Sequence, residues 1–415
     1  MPAPSPQPRL LDAFQAAPLR ATRFFLGLFL LLWLALLSVD WIGRFALFHW
    51  HRTVLSPASV AISSRANATP SYHSVETPSV RGSAFSKAIP LPWLRAPYEE
   101  LHPGRTVWTD PNRYENPPLP PGEHWQGVVV GDSFMLAGST QTFAQALTTL
   151  TGRPILNRAR HAAGPFQELR RYLTAPPLDP QPSVIVWNLT ARELHGNLFS
   201  RQSVDSWFDA HPAPKSPSTP PAPPSRFHPE ALRPATLART WPNTSLPAYF
   251  ARHAAAAFRL VVFRSWPHDA LGVPDTPFGP VLFYRENLRF FPNCTPEQVP
   301  AVSRTILHVA DRLRERGITL VVLLVPEKEQ IYLNLLPPSY RPQILPSLDM
   351  LDALETTLRE NGIHVVNLLH PFLTAAPTSP FLYWRDDPHW SPPAVSLAVT
   401  AVADEVRPLF ASETP

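Results

Sequence analysis

Two short stretches, far apart in the chain, carry side chains that could do chemistry together. "VVVGDSF" ends a β-branched run in Gly131, Asp132 and Ser133, and "WRDDPHWSPPA" sets Asp387 two residues before His389. A serine hydroxyl is a weak nucleophile until a base takes its proton. An imidazole can be that base, and a carboxylate at one ring nitrogen fixes the tautomer that turns the other toward the hydroxyl. A spacing of two lets one loop present both groups to one centre. Ser133, His389 and Asp387 are therefore the candidate catalytic residues. Each has a plainer reading: Asp132 or Ser133 caps the next helix, Asp387 caps a turn, and His389 is a surface residue. The conjunction outweighs these because the parts are complementary.

The elements that must position these groups follow from the apolar pattern. Short apolar runs bounded by turn residues predict buried parallel strands at "QGVVVGDSF", "PILN", "PSVIVWNL", "GITLVVLLVP" and "GIHVVNLL". Helical patterns alternate with them: "TQTFAQALTTLTG", "FQELRRYLT", residues 295–317, residues 347–362 and the closing "PPAVSLAVTAVADEVRPLF". Two of these end in a glycine, Gly317 and Gly362, just before a strand. The alternation predicts an α/β fold of three layers around a parallel sheet of about five strands. Ser133 then sits at the C-terminal end of the first strand, where open α/β sheets bind ligands. Gly131 is expected to permit a tight turn there, and the first strand is expected to be central. The loop with Asp387 and His389 follows the last strand, so it lies on the same edge.

Composition narrows the class. The chain has 415 residues, 44% of them hydrophobic, enough for one large or two medium domains. Net charge is only +4 and no dense basic tract appears, which argues against nucleic-acid binding. The single cysteine, Cys294, excludes an intramolecular disulfide and a cysteine-based metal site. The 15 histidines are scattered without ligand spacing, so no metal and no cofactor is expected.

The run "RFFLGLFLLLWLALLSV" is apolar on all faces and follows Arg9, Arg20 and Arg23. It predicts an uncleaved transmembrane signal anchor over 24–43, with residues 1–23 in the cytoplasm and the rest outside it. A buried core helix is the weaker alternative. Residues 44–104 are polar and read as a juxtamembrane tether. The catalytic domain is expected over 105–200 and 281–415, split by a Pro-rich insertion over 201–280. Within the insertion, residues 246–266 predict a helix, read as a packing helix in preference to one lying on a membrane surface.

The Gly-Asp-Ser block and the Asp-x-His block resemble those of the SGNH (GDSL) hydrolase superfamily. The tryptophan in "DPHW" is similar to the polysaccharide O-acetyltransferase branch, of the alginate AlgJ/AlgX type. "VPEKEQIYLNLLP" resembles that branch's Pro-x-Lys-x-x-x-Tyr segment, "VLFYRENLRFF" its segment leading into the later half, and "ILNRARHAAGPFQEL" the second SGNH block. Departures exist. Positions 159 and 162 are alanine where relatives often have glycine. "NLTARELHG" puts Arg192 and Glu193 where the superfamily has Gly-Asn-Asp. The serine precedes Asp-x-His, whereas some alginate enzymes have the reverse order.

The resemblance implies an SGNH-like, flavodoxin-like fold and two-step acetyl transfer to a polysaccharide in an extracytoplasmic, periplasmic setting. A membrane-bound O-acyltransferase partner would supply the acetyl group. Backbone amides at Ser133 and around Ala162 and Gly164 would bind the oxyanion, with Asn188 and Arg192 as further oxyanion or substrate contacts. Arg192 has an alternative, an ion pair with Glu193 or Glu168. Lys328 and Tyr332 would line a sugar cleft or, equally, be surface and packing residues. Trp390 walls the site or packs against the last helix, packing being the better reading. A carbohydrate esterase with the same triad and a non-catalytic scaffold or glycan-binding subunit of an export complex are the rival functions.

Overall fold

The computed structural model describes residues 26–35, 38, 72–77, 80–81, 101–102, 105–112, 114–136, 140–161, 163–175, 177–209, 270–379 and 381–411. The chain forms two units. One spans 1–67 and 221–263, and the other spans 68–220 and 264–415.

In the first unit, residues 26–35 are helical, and Leu26, Phe29, Leu31 and Leu34 are exposed. Among the described residues no helix is long and apolar enough to cross a membrane. Apart from residue 38, the remainder of the expected 24–43 span lies outside the described residues, as do most of the Pro-rich insertion and the helix expected over 246–266.

The second unit holds a five-stranded sheet: β1 (Gly127–Gly131), β2 (Ile155–Ala159), β3 (Val184–Thr190), β4 (Thr319–Val325) and β5 (His364–Asn367). All neighbours pair in parallel, in the order β5-β4-β3-β1-β2. These are the five runs expected from the sequence. Most are apolar on both faces because helices cover both sides: Val128, Val129 and Val130 of β1 have no exposure at all, while β2 carries Asn157 and Arg158.

The covering helices are α1 (Phe143–Thr151), α2 (Gln167–Thr174), α3 (Val299–Arg314), α4 (Arg341–Glu360) and α5 (Pro392–Ala411). The chain steps from β1 to β2 in one direction across the sheet and from β2 through β5 in the other. Right-handed crossovers then put α1 on one face and α2, α3 and α4 on the other. α5 joins α1, and the result is three layers. α1 opens with a capping box between Thr142 and Gln145, and Gly152, Gly317 and Gly362 take left-handed φ values of 68°, 73° and 73° where chain leaves helix for strand.

Three expectations need correction. β3, not β1, is central, and β1 lies beside it. α4 begins at Arg341 rather than at 347, with Pro346 inside it. The buried Ile344 and the Ser347 hydroxyl, which accepts from Gln330 Nε2 at 2.8 Å, hold that first turn despite the missing amide. The stretch read as a tether contributes strands as well: His73–Thr77 pairs antiparallel with Arg105–Thr109.

Candidate active site

The reversal of strand order falls between β1 and β3, and such a switch point opens a crevice beyond the strand ends. Ser133 occupies it. Asp132 leaves β1 in an extended conformation and its Oδ1 accepts from Phe134 N at 2.9 Å, which nucleates a three-residue 3-10 turn, Ser133–Met135. The capping reading thus falls to Asp132, and the cap presents the adjacent Ser133 at the strand end. Gly131 is required for a different reason than a tight turn. A Cβ there would sit 2.8 Å from Asn188 Cβ, so glycine lets β1 and β3 approach.

The loop between β5 and α5 brings His389 over the serine. Nε2 lies 2.7 Å from Ser133 Oγ, and Nδ1 meets Asp387 Oδ1 in a short contact. The same carboxylate oxygen accepts from His389 N at 2.8 Å, so one acid fixes both the ring and its backbone. An ionised carboxylate can only accept, so Nδ1 carries the proton and Nε2 is left to accept from the serine hydroxyl. Burial pulls the His389 pKa down, but the charge and hydrogen bond of Asp387, helped by Asp132, outweigh it and raise it above the ordinary value. A fifth of the His389 side chain still reaches solvent, so a substrate can approach.

Trp390 is fully buried. Its indole donates to Phe134 O at 2.8 Å and its ring stacks on Phe143 at the start of α1. It packs and does not line the site. Asn188 has no exposure, and its Nδ2 donates to Asp132 Oδ1 at 3.1 Å, so it supports the cap and is not an oxyanion contact. Arg192 pairs with Asp132 at 3.2 Å and with Glu327 at 3.4 Å, in place of Glu193 or Glu168. Glu168 is instead taken by Tyr114, Arg160 and Arg171.

Lys328 and Tyr332 do not line a cleft. Both are buried, Lys328 completely, because each has polar partners inside the protein. Tyr332 Oη accepts from Leu382 N at 2.8 Å. Ala162 lies outside the described residues. Gly164 is exposed in the turn before α2 and lines a separate cleft of about 440 Å³ with Arg170, Arg171 and Gln202. Neither Ser133 nor His389 is among the residues lining that cleft. The Ser133 amide has no hydrogen-bond partner among the described residues, so its donor is not spent elsewhere among them.

Two residues that the motifs do not single out belong to the site. Glu327 is tied to the site through Arg192, 135 positions away in sequence, which no local pattern reveals. His161, in the turn after β2, is exposed but near enough to His389 to feel its charge. Desolvation and then the charge of His389 push its pKa down to about 4, against the opposing charge of Asp387.

Similarity to known proteins bears on this geometry. No curated protein matches the chain. Among solved structures, a protein of Slackia heliotrinireducens assigned to the SGNH hydrolases is 12% identical, covers 68% of this chain and 98% of its own, and gives a TM-score of 0.32. An acetyl xylan esterase, Est2A, from the rumen bacterium Butyrivibrio proteoclasticus is 8% identical over 75% of this chain and 70% of its own, with a TM-score of 0.28. Residues 101–191 and 282–415, more than half of the chain, match the family described as the SGNH hydrolase-like domain of acetyltransferase AlgX. The two matched blocks hold all five strands of the sheet and Ser133, Asp387 and His389, and the chain belongs to that AlgX-type SGNH family.

Proposed function

We propose that this protein is a membrane-anchored O-acetyltransferase that modifies a secreted or cell-surface polysaccharide through Ser133, His389 and Asp387. The observation that carries the reading is the 2.7 Å contact of Ser133 Oγ with His389 Nε2, with Asp387 on the other ring nitrogen. Ser133 Oγ attacks the carbonyl carbon of an acetyl donor and its proton passes to Nε2. The tetrahedral oxyanion is held by the Ser133 amide, such a donor being worth about 3 kcal/mol. The leaving group departs with the proton from His389, and an acetyl-serine ester remains. His389 then takes the proton of a sugar hydroxyl, the sugar oxygen attacks the ester, and Ser133 leaves with that proton.

The anchor is part of the proposal. It is supported by the uncharged run from Phe24 to Val39, by the arginines ahead of it, and by the exposed apolar side chains of residues 26–35. The catalytic unit then faces the extracytoplasmic, periplasmic side, and a membrane-bound O-acyltransferase is the partner that delivers acetyl groups.

The test uses the full-length protein in detergent with 4-nitrophenyl acetate and an added oligosaccharide. The expected result is an acetyl group on Ser133 in mass spectra, its transfer to the oligosaccharide, and loss of both in Ser133→Ala. Acetate release without transfer would make the protein an esterase. Absence of turnover and of acetyl-serine, with the acyltransferase partner supplied, would leave a scaffold.

A further inference from the structure

The segment Pro326–Tyr332, which follows β4, is absorbed by neither the catalytic chemistry nor a substrate cleft. Its side chains instead reach both halves of the site. Lys328 is fully buried, and its ammonium lies 2.6 Å from Leu282 O, 2.7 Å from Trp384 O, 3.0 Å from Arg385 O and 3.4 Å from Asp387 O. Three of those carbonyls belong to one stretch, residues 384–387, which ends at the candidate acid. Carbonyl dipoles converging on one point repel one another, and a cation at their focus turns that repulsion into attraction. Burying an ammonium is costly unless its donors are met. The loop must therefore keep this shape for the charge to stay inside.

The same segment fastens the loop twice more. Tyr332 Oη accepts from Leu382 N at 2.8 Å while its ring stacks on Phe381. Tyr383 Oη donates to Pro326 O at 2.5 Å. The neighbouring residue points the other way. Glu327 Oε2 accepts from Asn287 Nδ2 at 3.1 Å and pairs with Arg192 at 3.4 Å, and Arg192 pairs with Asp132 at 3.2 Å, the residue that caps the Ser133 turn.

We infer that Pro326–Tyr332 is the positioning element of the active site, with Lys328 holding the loop of Asp387 and His389 and Glu327, through Arg192, holding the Ser133 turn. Two consecutive residues thus set the distance between base and nucleophile. This rests on the triad reading proposed above. Reacting groups displaced by about 1 Å lose roughly a hundredfold in rate, so the element acts on kcat and leaves substrate binding alone.

The test compares full-length wild type, Lys328→Met, Lys328→Ala and Ser133→Ala on 4-nitrophenyl acetate, with turnover expressed per folded molecule from circular dichroism. Lys328→Met is expected to lower kcat about a hundredfold with KM unchanged. Lys328→Ala is expected to recover at least tenfold of its loss on addition of methylammonium, which a role confined to stability would not produce. If Lys328→Met keeps kcat while Ser133→Ala abolishes it, the positioning role is wrong and the triad stands. If Ser133→Ala keeps full turnover, the triad falls and this inference with it. Should neither Lys328 variant fold, Glu327→Gln decides: a fall in kcat of about tenfold at constant KM supports the element, and an unchanged kcat overturns it.

Discussion

The turn that carries Ser133 and the loop that carries His389 perform complementary tasks and are built on different principles. The serine turn grows directly from the end of β1, is capped by Asp132, and draws its restraint from charges: Asn188 and Arg192 close on the Asp132 carboxylate. The histidine loop follows no strand closely and, among the described residues, has one isolated bridge, Tyr383 with Trp390. It draws its restraint from backbone carbonyls gathered by Lys328 and from the aromatic stack of Tyr332 on Phe381. A group on a sheet edge needs only its local direction fixed. A group on a loop needs its backbone fixed first.

The sharpest way to break this contrast is at Asp387, whose carboxylate serves ring and backbone together. Asp387→Asn is expected to lower kcat by ~10³–10⁴. It also moves the acid limb of the pH–rate profile downward. His389 works as a base only when neutral, and Asp387 is what raises its pKa above 6.5, so removing that charge lets burial pull it below. A limb that stays in place would show that the carboxylate does not act on the ring.

On the serine side the same logic is read as stability. Arg192→Met leaves Asp132 and Glu327 buried without their cation, and unfolding in urea is expected to show a loss of about 3–5 kcal/mol. A loss below about 1 kcal/mol would mean that the charges do not hold this turn.

The smallest effect is expected between the two regions, at Glu329. Burial first, and then the charge of Glu327, raise its pKa from 4.5 to about 7, against a backbone hydrogen bond, Lys328 and Asn287. The folded state therefore holds the extra proton. Its contribution is full below pH 4.5 and is lost as pH rises through about 7. Glu329→Gln should flatten this decline, a gain on the order of 2–3 kcal/mol by pH 8, read as Tm against pH. A variant whose Tm falls with pH as steeply as wild type would refute it.

What the sequence made legible is what local chemistry dictates. Parallel strands covered on both faces are short and mostly apolar, and the five runs were visible for that reason. A nucleophile and an acid–base pair need particular residue types at fixed spacing, so Ser133, Asp387 and His389 stood out. Lys328 did not reveal its task, because four carbonyl oxygens leave no trace in side-chain pattern. Arg192 hid its partners because Asp132 and Glu327 lie 60 and 135 positions away. Gly131 carried a true signal with a misleading cause: an approach between β1 and β3 looks, in sequence, like a turn.

The nucleophile and its base are separated by 256 positions, and the Trp390 indole latches to Phe134 across the same interval. A growing chain therefore exposes the serine long before the imidazole exists, and β4, β5 and the histidine loop must all emerge before proton transfer has a path. On the proposed reading, an incomplete product of synthesis would lack the base and so be unable to strip or misplace acyl groups.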